Sequence, residues 1–218
     1  MKLLSVNLAR TILLGPMSDL NPRGVSLDSA LFPFLVNTYK FRKVPSLEEI
    51  PDLSKGMKFE LGNFDIGGDY PIVVNLTFYS DGMVADSHSS TSHTDAFLED
   101  IYTKFSELFK MPPGESIIKQ RLHLSQLFVS TDKSLQTINP KLNLISKYLS
   151  ESVEEGSNIF QTGGISFWPD QTSKVPPTPF SFERAVGAPF SENRYYSAAP
   201  LPTDKHLELL DMLENILS

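Results

Sequence analysis

The chain has 218 residues, 40% of them apolar, a net charge of −7 and no cysteine. That length holds one large domain or two tightly joined small ones, and the missing cysteine excludes disulfides, thiolate metal sites and cysteine nucleophiles. Nineteen basic residues against twenty-six acidic ones, with no basic run, argue against direct nucleic-acid binding and against docking on an acidic membrane.

In chain order, residues 3–14 alternate with period two, which predicts a strand. Leu4, Val6, Leu8, Ile12 and Leu14 share one face, and Arg10 interrupts it. A long side chain there buries its stem and reaches water or a carboxylate; the sharper reading is an anion-binding arginine. As a leader peptide the stretch is broken by Asn7 and Arg10, and no small-residue cleavage site precedes Asn21-Pro22. No window approaches the roughly 18 apolar residues of a membrane span. The expectation is a cytoplasmic protein.

Residues 18–24 read as a turn. A helix over 28–40 follows, with Pro33 tolerable only near its first turn. Residues 57–64 and 72–78 read as strands. Asp81-Gly82 has the composition of a two-residue type I′ hairpin loop, which would pair Phe78 with Ala85, Thr77 with Asp86 and Asn75 with His88. A helix capped by Ser92 or Thr94 then carries Phe97, Ile101, Phe105, Leu108 and Phe109 as its apolar stripe. Residues 111–114, Met-Pro-Pro-Gly, stop it.

Residues 117–129 predict a long strand with Ile118, Leu122, Leu124 and Phe128 in phase. Asn139-Pro140 suits a helix start, with Leu142, Ile145 and Leu149 at helical spacing. Further strands are expected near 159–168, 180–186 and 194–197. A terminal helix begins at Thr203 and turns Leu207, Leu210, Leu213 and Leu217 inward. The fold class is α+β: mostly antiparallel, hairpin-linked strands with about four helices packed on the sheet.

Thr94-Asp95-Ala96-Phe97-Leu98-Glu99 and Thr203-Asp204-Lys205-His206-Leu207-Glu208 match at four of six positions, 109 apart (203 − 94). That weak internal echo, 94–99 with 203–208, suggests two similar sheet-then-helix lobes, 1–152 and 153–218, within a single compact body, 1–218. Asp and Thr are common at any helix start, and the shared order of elements does not require a duplication.

The densest polar cluster runs from Asp86 to Asp95. A carboxylate beside an imidazole orients a general base or binds a metal, which makes Asp86, His88 and His93 weak catalytic candidates. The bland alternative is a solvated loop with a capped helix. No metal-ligand spacing appears, and no metal or cofactor is expected. A second cluster offers Arg184, Arg194, Tyr195 and Tyr196 as partner-binding residues, because Tyr and Arg dominate interface hot spots; the alternative is cross-strand salt bridging. Trp168 reads as a core or interface plug, and His123 and His206 as structural. Phosphate-loop, dinucleotide and nucleophile-elbow motifs are absent. The functional expectation is a non-enzymatic interaction or accessory subunit that binds a protein partner or itself. The alternative is a small hydrolase or metal-dependent enzyme with its site at the Asp86–Asp95 loop.

Overall fold

The computed structural model describes residues 1–15, 27–45, 54–110, 118–153, 159–170, 172 and 176–217. The turn expected at 18–24 and the helix stop at 111–114 lie outside them. The elements are β1 (Lys2–Leu14), α1 (Leu27–Tyr39), β2 (Met57–Phe64), β3 (Ile72–Tyr79), β4 (Gly82–Ser87), α2 (Thr91–Phe109), β5 (Gln120–Ser130), α3 (Asn143–Ser152), β6 (Gly164–Phe167), β7 (Phe180–Arg184), β8 (Arg194–Ala199) and α4 (Thr203–Ile216). The strands form one eight-stranded antiparallel sheet in the order β2-β3-β4-β1-β5-β8-β7-β6. The fold is therefore α+β, as the alternating patterns predict. The chain divides into two compact units.

One unit comprises Leu8–Ser125 with Leu201–Thr203. Its core is aromatic. Phe32 and Tyr39 from α1 meet Phe59 on β2 and Phe97 on α2 edge-on, at 5.2 and 5.0 Å between ring centres respectively, a favoured arrangement for paired rings. From α2, Phe97, Leu98, Ile101 and Phe105 are fully buried, whereas Leu108 is exposed. The hairpin register differs from expectation. Phe78 pairs with Met83, Leu76 with Ala85 and Asn75 with Asp86, so the loop is Ser80-Asp81 and Gly82 lies inside β4. Neither loop residue has positive φ, so the turn is not type I′. Gly82 is required for another reason: a Cβ there would collide with the Leu13 carbonyl of the adjacent β1.

β1 presents a face other than the expected one to this core. Ala9, Thr11 and Leu13 are buried, while Leu8, Ile12 and Leu14 are half-exposed. β5 also buries the face opposite to the expected one: Ser125, Leu127 and Val129 are buried, and Leu122, Leu124 and Phe128 are half-exposed. In both strands the buried face mixes small, polar and apolar residues, and the more exposed face also carries large apolar ones.

The other unit comprises Met1–Asn7, Gln126–Pro200 and Asp204–Ser218. Leu127, Val129, Leu135, Phe182, Tyr195, Leu210, Leu213 and Leu217 make its core, with the Phe182 and Tyr195 rings stacked at 4.5 Å. His206 is fully buried in it and shares a 2.8 Å hydrogen bond with the Ser197 hydroxyl. Burial pushes the imidazole down to about 4, because a charge inside a core is poorly solvated.

Side chains satisfy the starts of α2 and α4. Ser90, not Ser92 or Thr94, caps α2, its hydroxyl accepting from Ser92 N at 3.2 Å. Thr91 N donates to Thr203 Oγ1 at 3.0 Å, and Thr203 N donates to Thr91 Oγ1 at 2.8 Å, so these two helix-opening threonines of the first unit cap each other. Burial recurs 112 positions apart (203 − 91): Thr91, Thr94, Leu98, Ile101 and Phe105 against Thr203, His206, Leu210, Leu213 and Leu217. That spacing differs from the 109 of the sequence echo by three residues, close to one helical turn.

Candidate interaction surface

The polar cluster at 86–95 is divided among separate partners. β4 pairs with β1 so that Asp86 lies opposite Arg10, and the guanidinium grips both carboxylate oxygens, Nε at 2.7 Å and Nη2 at 2.8 Å. Those bonds hold Arg10 above its ordinary pKa. Arg10 thus reaches a carboxylate, and a bidentate pair of this kind is strong and directional. His88 is exposed on the turn after β4. His93 Nδ1 shares a 2.6 Å hydrogen bond with the Ser89 hydroxyl. Among the described residues, no three His, Asp or Glu side chains are grouped to hold a metal ion.

Among the described residues, Asp95 and His123 form a carboxylate–imidazole pair at 2.9 Å. It joins the second turn of α2 to β5. Thr11 also donates to Asp95, at 3.2 Å, and Arg121 lies 3.4 Å from Asp95 and 3.1 Å from Glu99. Sequence reading passed over this pair because His123 lies between Arg121 and Ser125, with nothing to show that α2 reaches it.

The Arg-Tyr cluster is also divided. Tyr195 is fully buried, so it builds the core under β8 and offers nothing to a partner. Arg184 spreads over the Phe190 ring at 4.5 Å and donates to Gln161 Oε1 at 2.8 Å. Tyr196 is half-buried and tilts against Phe128, and burial raises its hydroxyl pKa. Only Arg194 is well exposed, and it pairs with Glu192 at 2.9 Å.

α3 carries an exposed apolar face. Asn139 accepts from Lys141 N at 3.2 Å and opens a short turn at Pro140–Leu142 that leads into it. At about 100° per residue, Leu144, Ile145, Tyr148 and Leu149 fall on one side, while Ser146 and Ser150 fall on the other. The serine side is the partly buried one. Ser150 Oγ accepts from Phe160 N at 2.9 Å. The apolar side points outward, with Leu144 75%, Tyr148 70% and Ile145 58% exposed, and α3 buries no residue. Trp168 is 69% exposed too, and so is not a core plug. One signal of this orientation was present in the sequence. A solvated helix face carries charges, whereas the face opposite Leu144 and Tyr148 carries serines.

Together these features define an α+β protein whose polar clusters are divided and whose α3 turns an apolar face outward. No known protein family matches the chain, and no curated protein matches it. Among the described residues no helix is long and apolar enough to cross a membrane.

Proposed function

We propose that this chain is a non-enzymatic interaction or accessory subunit of the cytoplasm, and that α3 is its contact element. The observation that carries the reading is the outward apolar face of α3. A ten-residue helix is marginal in water on propensity alone, so it normally gains its stability by burying such a face. Exposed apolar patches of this kind mark sites of protein association, and Tyr148 is of a residue type enriched in binding hot spots. Affinity capture with the full tagged chain tests it. Wild type should retain a stoichiometric partner or a second copy, and Tyr148→Glu should lose it. If the variant retains everything the wild type does, the proposal fails.

The Asp95–His123 pair favours a second reading, acid–base chemistry at the end of the 86–95 cluster, since an aspartate can orient an imidazole for proton transfer. Arg10 already occupies Asp86, and Arg121 and Thr11 share Asp95, which weighs against it. Hydrolase activity of the purified chain that disappears in His123→Gln would favour this reading over the first.

A further inference from the structure

We infer that the partner of α3 is α3 of a second copy of this chain, packed antiparallel about a twofold axis midway between Ser146 and Lys147. The inference rests on the reading of α3 as the contact element. Its support is a palindrome: Leu144-Ile145-Ser146-Lys147-Tyr148-Leu149 has the same apolar pattern in both directions. In an antiparallel pair centred there, Leu144 faces Leu149 of the second copy and Ile145 faces Tyr148. Each exposed apolar side chain meets another, as a self-complementary twofold interface requires.

Charge follows the same symmetry. Pro140–Ser152 holds Lys141 and Lys147 but only one acidic residue, Glu151, although the chain as a whole is acidic. Under the twofold, Lys141 comes within one residue of lying opposite Glu151 of the second copy, which in its own helix lies 3.8 Å from Lys147, and the pair occurs twice. A parallel arrangement would instead place Lys141 beside Lys141 and Glu151 beside Glu151. Like charges so placed disfavour association. Two helices this short bury less than the roughly 1,200 Å² at which stable interfaces begin, so the dimer is a reversible one.

Sedimentation equilibrium over a wide concentration range tests this with the full chain. Wild type should rise from one chain mass toward two, and Tyr148→Glu should stay at one. Lys141→Glu and Glu151→Lys should each weaken dimerisation several-fold alone. An equimolar mixture of those two variants should recover it, because both ion pairs then re-form between unlike copies. A wild type that stays monomeric throughout overturns the self-pairing, as does a mixture no tighter than its components. If wild type is monomeric but Tyr148→Glu still loses a different captured protein, α3 remains the contact element and only its partner changes. If wild type is monomeric and Tyr148→Glu loses nothing, both readings fall together.

Discussion

α1 and α3 stand at the same point of a repeated order: each follows a long strand and precedes three further strands and a helix. Their outcomes are opposite. α1 buries Leu31, Phe32, Leu35 and Tyr39, and α3 buries nothing. The difference is in what already fills each core. In the first unit, α1 side chains pack into the aromatic cluster around Phe59 and Phe97. In the second, the short turn Leu135–Thr137 ahead of α3 contributes Leu135, and Leu127, Val129, Phe182, Tyr195 and the α4 leucines supply the rest. An apolar stripe therefore says that a helix has a face to cover, and the surrounding volume decides whether this chain covers it.

The largest test of that contrast is Leu35→Ala. Leu35 is fully buried, so its truncation loses both the transfer free energy and the contacts around the new cavity, and should cost about 2–5 kcal/mol. Chemical denaturation monitored by circular dichroism would measure it. A cost near zero would mean that α1 is no more integral than α3.

A comparable effect separates α4 from α2. The buried polar residue 112 positions before His206 is Thr94, which cannot titrate. His206 is held neutral in the folded chain, at about 4, against about 6.5 unfolded. Its contribution to stability is complete above pH 6.5. Between pH 6.5 and 4 only the unfolded chain takes up that proton, so stability falls with falling pH, by about 3 kcal/mol across the window. Denaturation midpoints against pH should show the slope in wild type and a flatter line in His206→Gln. Identical slopes would place the acid sensitivity elsewhere.

The reciprocal caps should give a smaller and matched pair of effects. Thr203→Val strips the hydroxyl that accepts from Thr91 N, and Thr91→Val strips the one that accepts from Thr203 N. Each should cost about 1 kcal/mol, the usual loss of a helix cap. The two should be coupled in a double-mutant cycle; strict additivity would show that the bonds act independently.

Strands and helices were legible in the sequence because their periods are short-range properties. Ile72–Tyr79 alternates cleanly, and the stripe through Phe97, Ile101 and Phe105 is buried as read. What escaped required knowing a neighbour. β1 and β5 carry apolar residues on both faces, so alternation could not say which set lay under helices. The hairpin was placed from its glycine, but the glycine serves the approach of β1. Asp86 meets Arg10 across 76 positions and His123 meets Asp95 across 28, and no local pattern carries such pairings. Tyr195 looked like an interface residue because aromatic and basic residues cluster there, and the same tyrosine fits a core equally well.

The smallest effect is the sharpest one. Leu144→Ala in α3 is the same kind of change as Leu35→Ala in α1, yet it removes a side chain that is 75% exposed. No cavity forms, and alanine favours helix at least as well as leucine. At a protein concentration low enough to keep the chains apart, stability should change by no more than about 0.5 kcal/mol, read from the same denaturation curves. A loss of several kcal/mol would show that Leu144 is covered within the single chain, and the outward face on which the contact element depends would no longer exist.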